Sequence, residues 1–522
     1  MIDYLIKGGS VIDGGGSEAE ILNVGIEGDR ICYVGNEETA ARRVIDAEGM
    51  IVAPGFIDTH AHSEFTILAD GRAEGKLSQG VTMEINGNCG LSAAPLLGEA
   101  LERREADQEE LGIKERWNTF GEYFDLLRKK GFAINFATLC GHGNVRASVM
   151  GYKDDAPTES EMRAMKDLLA EALRAGARGL STGLIYPPGV YSSSEEIIGL
   201  AKVVVYERGG GIYASHMRSE GDGLIESVED TLKICTGAGI PVHISHIKTS
   251  GERNWDKIET VLSMIGEAQS RGMKVTCDRY PYIASSTDLD TVIPSWAYAG
   301  GLQDELKRLR DPGTRAKIRA ELMGNDDSYW QGIYISSVSR PENKWMEGEN
   351  VFDVASRTGR HPSDAVIDIT VEEGARAVAI FFSMCERNLK LFLSLPYAMI
   401  GSDSSVRSCS GPTRFGKPHP RGFGSFARFI GKYAREEGIV SLPEAVRRLT
   451  SLPASVFGLG KRGLIRQGFF ADLVVFDYAA IRDEATFKEP FRNAQGFVHV
   501  FVNGMLSYND GVMTGVRAGR IV

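Results

Sequence analysis

The chain has 522 residues, of which 43% are hydrophobic and 25% are charged, a balance typical of a globular protein with a large core. Its formal net charge of −11 argues against a nucleic-acid or anionic-membrane partner, because both favour a basic surface. No apolar stretch approaches the roughly 18 uninterrupted residues that a membrane span requires.

The first residues and the cysteines predict a cytoplasmic protein. Asp3 lies where a signal peptide would carry a positive charge, and the apolar run that follows it is too short for one. Seven cysteines, an odd number in a long chain, indicate no disulfide framework. We therefore expect reduced thiols. The expected partner is a small-molecule substrate.

Both ends of the chain predict β structure. Short apolar runs interrupted by Gly and Asp occur at 4–13, 24–26, 30–34, 471–477 and 498–504. Because chain ends often lie near each other, we expect one small β-sandwich domain formed from residues 1–53 plus 455–522.

The middle of the chain, 54–454, alternates β-branched runs with amphipathic stretches such as 159–175 and 257–271. This alternation predicts an α/β fold, a (β/α)8 TIM-like barrel. The segment at about 285–350 fits the alternation poorly and is interpreted as an insertion over the mouth of the barrel. Candidate core strands lie at 57–60, 82–86, 137–140, 179–182, 212–216, 242–246, 275–278 and 398–403.

Polar side chains end several of these strands. In a barrel of this type the carboxyl ends of the strands meet at one mouth, so these side chains are expected to converge there. Any one of these histidines alone is more often a packed core or surface residue, and Cys89 alone a small buried hydrophobe. Their shared position favours a metal site. The residues concerned are His60, His62, Cys89, His216, His246 and Asp403.

The spacing and the chemistry of these residues point to zinc. His60 and His62 are two apart, which places both imidazoles on one face of an extended chain. Cys89 offers a thiolate that a zinc ion would keep ionised. Asp403 is the natural candidate to take a proton from a metal-activated water and pass it to a leaving group.

Several motifs carry a resemblance to a known family. Residues 53–62, APGFIDTHAH, resemble the metal-binding opening of the amidohydrolase superfamily, and 463–477 resemble its return to the small β domain. Within that superfamily the chain is most similar to the N-acyl-D-amino-acid deacylases (D-aminoacylases). The matching motifs include GNCGLS at 87–92, GHGNVR at 141–146, SHIK at 245–248 and HPR at 419–421.

The resemblance implies one tightly bound zinc ion, held chiefly by Cys89, His216 and His246, and a possible second ion. His60 and His62 would form a neighbouring or shared site, with Asp403 as the acid and base. The residues implied for the substrate are Lys248, Tyr280, Ser286 and Arg421, and the loop 404–418 adds Arg414 as a second candidate for the substrate carboxylate.

The implied reaction is zinc-dependent hydrolysis of the amide bond of N-acyl-D-amino acids. The alternatives are a cyclic amidase of the hydantoinase or dihydroorotase kind, a dipeptidase on the same fold, and a scaffold that has lost activity. The cyclic amidases bridge two metals with a carboxylated lysine, which none of the predicted strand ends supplies. The complete ligand set and Asp403 argue against the scaffold. The acyl chain, the side-chain preference and the oligomeric state stay open.

Overall fold

A computed structural model describes residues 1–37 and 39–522. In this part of the chain, eight parallel strands form the central barrel. The ring closes where the Thr59 amide donates to the Ile400 carbonyl at 3.4 Å, beside the last strand. In chain order the barrel strands are Phe56–Asp58, Val81–Asn86, Asn135–Thr138 with its extension Cys140–Gly141, Gly179–Gly183, Ile212–His216, Val242–Ile244, Val275–Arg279 and Ala398–Ile400.

Amphipathic helices cover the outside of the barrel. Glu159–Ala175 begins with a capping box at Thr158 and buries Met165, Leu169 and Leu173 on one face, as its sequence period predicts. Within the described chain, no helix is long and apolar enough to cross a membrane. The cytoplasmic location stays a prediction. Other helices around the barrel are Phe120–Lys130, His142–Met150, Ser194–Arg208, Leu224–Ala238, Ile258–Ser270, Glu386–Ser394, Arg421–Arg428 and Leu442–Leu449.

The two ends of the chain share one sheet. Leu473–Phe476, from the C-terminal end, pairs antiparallel with Ile51–Pro54 from the N-terminal end. The buried face of this sheet includes Ile26, Val475 and Phe501. The predicted boundaries of this domain stay a prediction. Its other strands are Ile2–Val11, Glu20–Glu27, Arg30–Gly35, Ala41–Asp46, Phe497–Val502, Met505–Asn509 and Val512–Met513.

An antiparallel unit lies between the seventh and eighth barrel strands. Its three strands are Ala284–Asp288, Ile333–Ser337 and Val378–Phe382, with the last in the middle. Trp330 is in its separate hydrophobic core. The unit reaches residue 382, so the insertion expected at about 285–350 is too short, because Val378–Phe382 is needed to pair both other strands. Its helices are Leu302–Arg310, Pro312–Leu322, Asp327–Gln331, Val351–Thr358 and Pro362–Glu372.

Candidate metal centre

The structure brings the predicted strand-end histidines together at one mouth of the barrel. The His60 ring centroid lies 4.8 Å from that of His246 and 5.2 Å from that of His62. The His216 and His246 centroids are 4.4 Å apart. These residues follow or end the first, fifth and sixth barrel strands. Closure of the barrel therefore brings together residues that are far apart in the sequence.

Cys89 lies at the centre of this cluster. Its Sγ is 3.2 Å from His60 Nε2 and 3.4 Å from His246 Nε2, and its side chain is buried. Burial alone would raise the pKa of the thiol, but the neighbouring charges of His60 and His246 outweigh it and hold that pKa well below its usual value. The sulfur is therefore prepared to act as a thiolate ligand.

Backbone strain is concentrated at these residues. Three of the seven non-glycine residues with a positive φ in the described chain are Cys89, His246 and Asp403, with φ values of 53°, 35° and 51°. Such conformations cost about 1–3 kcal/mol each and persist where the surroundings enforce them. Next to Cys89, an added Cβ at Gly90 would lie 2.7 Å from the Gly183 backbone nitrogen. Only glycine therefore fits at this close approach.

Asp278 orients the histidines of the cluster through hydrogen bonds, a role that the sequence did not predict. Its carboxylate accepts from His60 Nδ1 at 3.1 Å, His243 Nε2 at 2.7 Å and the His246 amide at 2.9 Å. These partners outweigh its burial and hold the pKa of Asp278 well below its usual value. The bond to Nδ1 leaves His60 Nε2 facing Cys89. The signal available in the sequence was its position at the end of the seventh strand.

Glu220 does the same for His246, and it was also missed. Its Oε1 lies 2.8 Å from His246 Nδ1, and it forms an ion pair with Lys248, whose Nζ is also 2.8 Å from His246 Nδ1. Lys248, predicted for the substrate, is thus held beside a candidate ligand. In the sequence, the position of Glu220 four residues after His216 was the only indication of its role. The 3.9 Å approach of Glu220 to the ring of His216 depends on the turn after the strand, which the sequence does not show.

His216 is the buried histidine of the cluster whose ring nitrogens make no hydrogen bond to a described residue. It is only 4% exposed. Buried polar atoms are nearly always paired, so this ring fits a metal ion. Three overlapping groups have ligand atoms within 4.8 Å of one another. They are His60–Cys89–His246, His60–His62–Asp403 and His216–Glu220–His246.

Asp403 lies at the edge of the cluster. Its Oδ1 is 3.2 Å from His62 Nε2, and its Oδ2 is 2.8 Å from Arg421 Nη1. Burial favours the neutral acid, but Arg421 and His62 outweigh it and keep the pKa of Asp403 well below its usual value. The same contact raises the pKa of His62 to about 9 despite burial. Asp403 is therefore an ionised carboxylate, ready to accept a proton.

A cavity of about 660 Å³ opens over the cluster. Its lining includes Lys248, Tyr280, Ser286 and Arg421, the residues predicted for the substrate. The buried Tyr280 hydroxyl has no hydrogen-bond partner among the described residues. Arg414, the alternative to Arg421, is exposed and lies over the Phe491 ring at 5.4 Å, away from the cavity lining.

Comparison with known proteins places the chain in a family. Residues 43–508 match the Amidohydrolase family. A D-aminoacylase from Alcaligenes xylosoxydans xylosoxydans is 37% identical over 521 residues, which cover 100% of this chain and 97% of that protein.

Two solved structures share the fold at a TM-score of 0.84. One is an N-acyl-D-glutamate deacylase from Bordetella bronchiseptica, complexed with zinc and a phosphonate that mimics the tetrahedral intermediate; it is 36% identical and covers 100% of this chain and 99% of that one. The other is a D-aminoacylase with a binuclear metal centre, 35% identical, with the same coverage. The predicted barrel with its terminal β domain is confirmed. The chain therefore belongs to the amidohydrolase family, among the D-aminoacylases and N-acyl-D-amino-acid deacylases.

Proposed function

We propose that this protein hydrolyses the amide bond of N-acyl-D-amino acids in a zinc-dependent reaction that yields a carboxylate and a free D-amino acid. The observation that carries the proposal is the position of Asp403, an ionised carboxylate between a buried Cys–His cluster and an arginine that faces the cavity. The preference for D-amino acids is supported by the names of the relatives.

For the metal, Cys89, His216 and His246 would hold one zinc ion tightly. The unpaired nitrogens of His216 and the low pKa of Cys89 support this set. His60 and His62 would complete a second, weaker site that shares Cys89 or Asp403. When bound, zinc supplies a Lewis acid that polarises the amide carbonyl and makes water a better nucleophile at neutral pH.

Asp403 would act first as base and then as acid. Its Oδ1 accepts a proton from the attacking water and afterwards delivers it to the departing nitrogen. The ion pair between Arg421 and Oδ2 keeps the carboxylate ionised between turnovers and leaves Oδ1 toward His62 and the cluster.

Arg421 and Tyr280 would bind the substrate. The guanidinium carbon of Arg421 lies 4.8 Å from the centroid of the Tyr280 ring, so the two form one donor surface. A guanidinium fork suits the free α-carboxylate of the amino acid. The unpaired Tyr280 hydroxyl is available to donate to the amide oxygen, where negative charge develops.

The cyclic amidases remain the alternative to be tested. Lysines close to the centre are already engaged, Lys248 by Glu220 and Lys76 by Asp58 and Glu84 at 2.6 and 2.8 Å. The group between His60 Nε2 and His246 Nε2 is the Cys89 sulfur, at 3.2 and 3.4 Å, and not a lysine. No observation favours the alternative.

The test is amine release from paired N-acetyl-D- and N-acetyl-L-amino acids, using the metal-free protein with and without added zinc. Zinc-dependent release from the D series alone is the expected result. Activity on hydantoins or dihydropyrimidines, with no release from either acyl series, would overturn the proposed substrate class while leaving the metal site intact.

A further inference from the structure

One wall of the cavity is acidic, and the proposed reaction does not use it. Asp288 ends the inserted strand Ala284–Asp288, Asp290 follows it, and Glu305 comes from the helix Leu302–Arg310. We call these three carboxylates the acidic wall. The helix Gly98–Glu110 adds further carboxylates and arginines to the cavity lining, namely Glu99, Glu102, Arg103 and Arg104.

Glu305 is the residue that points to a ligand. Its side chain lines the cavity and is only 5% exposed, yet its Oε1 has no hydrogen-bond partner in the described chain. Burial raises the pKa of Glu305 to about 7; Arg103 lowers it in part and Asp288 raises it further. A buried carboxylate oxygen without a hydrogen-bond donor costs free energy. A ligand that donates a hydrogen bond to this oxygen would remove that cost.

Two links connect the acidic wall to the reacting end of the cavity. Arg421 Nη2 donates to the Ser286 carbonyl at 3.1 Å, two residues before Asp288 on the same strand. The Tyr186 hydroxyl bonds Thr287 Oγ1 at 2.9 Å, while its ring contacts His216 with centroids 5.1 Å apart.

The strand also sets the distance. Ser286 and Asp288 lie on the same face of the strand, and two strand residues span about 6–7 Å. An extended lysine or arginine side chain reaches about 6 Å or more from its Cα. An amino acid whose α-carboxylate binds Arg421 therefore has the length to bring a cation to Asp288, at the near end of the acidic wall.

We propose, on the basis of the proposed function, that the preferred substrates are N-acyl-D-amino acids with a cationic side chain, D-arginine and D-lysine foremost. The side chain's guanidinium or ammonium group donates to the Oε1 of Glu305, the oxygen that has no donor among the described residues, and lies near the carboxylate of Asp288. A carboxylate side chain would meet the same three acids. The positive charges that act on them are Arg103 for Asp290 and Glu305, and Arg308 for Glu305.

The experiment compares substrates that differ in charge and not in shape. N-acetyl-D-arginine is paired with N-acetyl-D-citrulline, and N-acetyl-D-lysine with N-acetyl-D-norleucine; N-acetyl-D-glutamate is the anionic arm. The acetyl group is constant, so only the amino-acid side chain carries the charge. We expect kcat/KM to be about tenfold higher for each cationic member, as for a charge-assisted hydrogen bond in a buried site.

The variant Glu305→Gln keeps the shape and removes the charge. The arginine-to-citrulline ratio of kcat/KM is expected to fall toward one, and this ratio is independent of how much enzyme is folded. Asp288→Asn, which leaves the helix of Glu305 unchanged, is expected to lower the same ratio. Asp304→Asn, an exposed neighbour on that helix, is the matched control and should keep the wild-type ratio.

Each outcome is decisive. Equal rates on arginine and citrulline, or a preference for the glutamate substrate, together with activity on the norleucine substrate, would overturn the cationic preference and leave the deacylase function standing. No release from any N-acetyl-D-amino acid in the presence of zinc would overturn the proposed function, and this inference with it.

Discussion

Two buried polar clusters flank the first barrel strand, and they differ in whether their polar atoms find partners inside the protein. In the first, Lys76 Nζ lies 2.6 Å from Asp58, 2.8 Å from Glu84 and 2.8 Å from Ser402 Oγ, and all four residues are fully buried. Asp58 also accepts from the Ser402 amide at 2.8 Å. We call this the lysine cluster. The ammonium has two carboxylate partners, and Lys76 is not among the described residues that line the cavity.

The second cluster consists of Cys89 and the histidines around it, and it opens on the cavity. We call it the cysteine cluster; its histidines are His60, His62, His216 and His246. Asp278 orients His60 and Glu220 orients His246, whereas neither nitrogen of His216 makes a hydrogen bond to a described residue. The comparison teaches that burial and charge alone do not identify a site. The lysine cluster satisfies its ammonium internally and stabilises the barrel, while the cysteine cluster leaves ligand atoms unpaired beside a cavity.

The largest effect is expected from Asp403→Asn. Loss of the proton acceptor should lower kcat by about 10²–10⁴-fold, because general acid–base catalysis contributes that much. The variant should still retain the tightly bound zinc ion, as measured by elemental analysis. Near-normal turnover would assign the proton transfer to another group of the cysteine cluster.

Cys89→Ser should break the cysteine cluster as a metal site. The variant is expected to lose its tightly bound zinc and its activity, because the thiolate is central to the set. Cys385→Ser, a half-buried cysteine away from the cavity, is the control and should keep both. Unchanged zinc content in Cys89→Ser would contradict the assignment of the thiolate as a ligand.

Lys76→Met should break the lysine cluster instead. Removing the ammonium leaves Asp58 and Glu84 buried without a counter-charge, which is expected to cost about 3–5 kcal/mol of unfolding free energy. Lys432→Met, which removes a partly exposed partner of Glu386, should cost no more than about 1 kcal/mol. Both are measured by urea unfolding of the zinc-loaded protein. If Lys76→Met also emptied the metal site of folded protein, the two clusters would not be separate.

A smaller effect is expected from Asp278→Asn. Asp278 does not coordinate the ion in our proposal but orients His60 and the His246 backbone, and such partners contribute about 10–100-fold to metal affinity. Competition with a chelator measures this. An affinity equal to wild type would show that the cluster orients its ligands without this carboxylate.

The smallest effect concerns Glu305, a buried acid outside both clusters whose Oε1 makes no hydrogen bond to a described residue. Its pKa is raised to about 7 from 4.5, so its neutral form favours folding below pH 4.5 and this contribution is lost as the pH rises through 7. Glu305→Gln should therefore stabilise the protein at pH 8 relative to wild type, by about 1–3 kcal/mol, and little at pH 5. Urea unfolding at both pH values tests this; an equal effect at both would show that the acid does not titrate in this range.

Much of the site could be predicted from the sequence because its signals are local. The HAH spacing at 60–62, the cysteine between glycines and the polar residues at strand ends all depend on geometry within a few residues. The barrel could be predicted for a similar reason, since strand and helix periods are properties of short segments. Parallel βα units then require the carboxyl ends to share one mouth.

Asp278, Glu220 and Glu305 could not be assigned roles in this way. Their importance comes from which atoms lie opposite them, across strands or across the cavity, and a carboxylate has no distinctive spacing. The extent of the inserted unit was missed for the same reason, because Val378–Phe382 has its place only through pairing with strands about 45 and 90 residues earlier.

The sequence by itself therefore determined the barrel, the family and the types of side chain that meet at the barrel mouth, because local periodicity and motif spacing specify them. Only the tertiary structure decided which charges are satisfied and which face the cavity. Pairing and burial are properties of the closed barrel, and they separate Lys76, whose ammonium is paired inside the fold, from Cys89 and Glu305, which line the cavity.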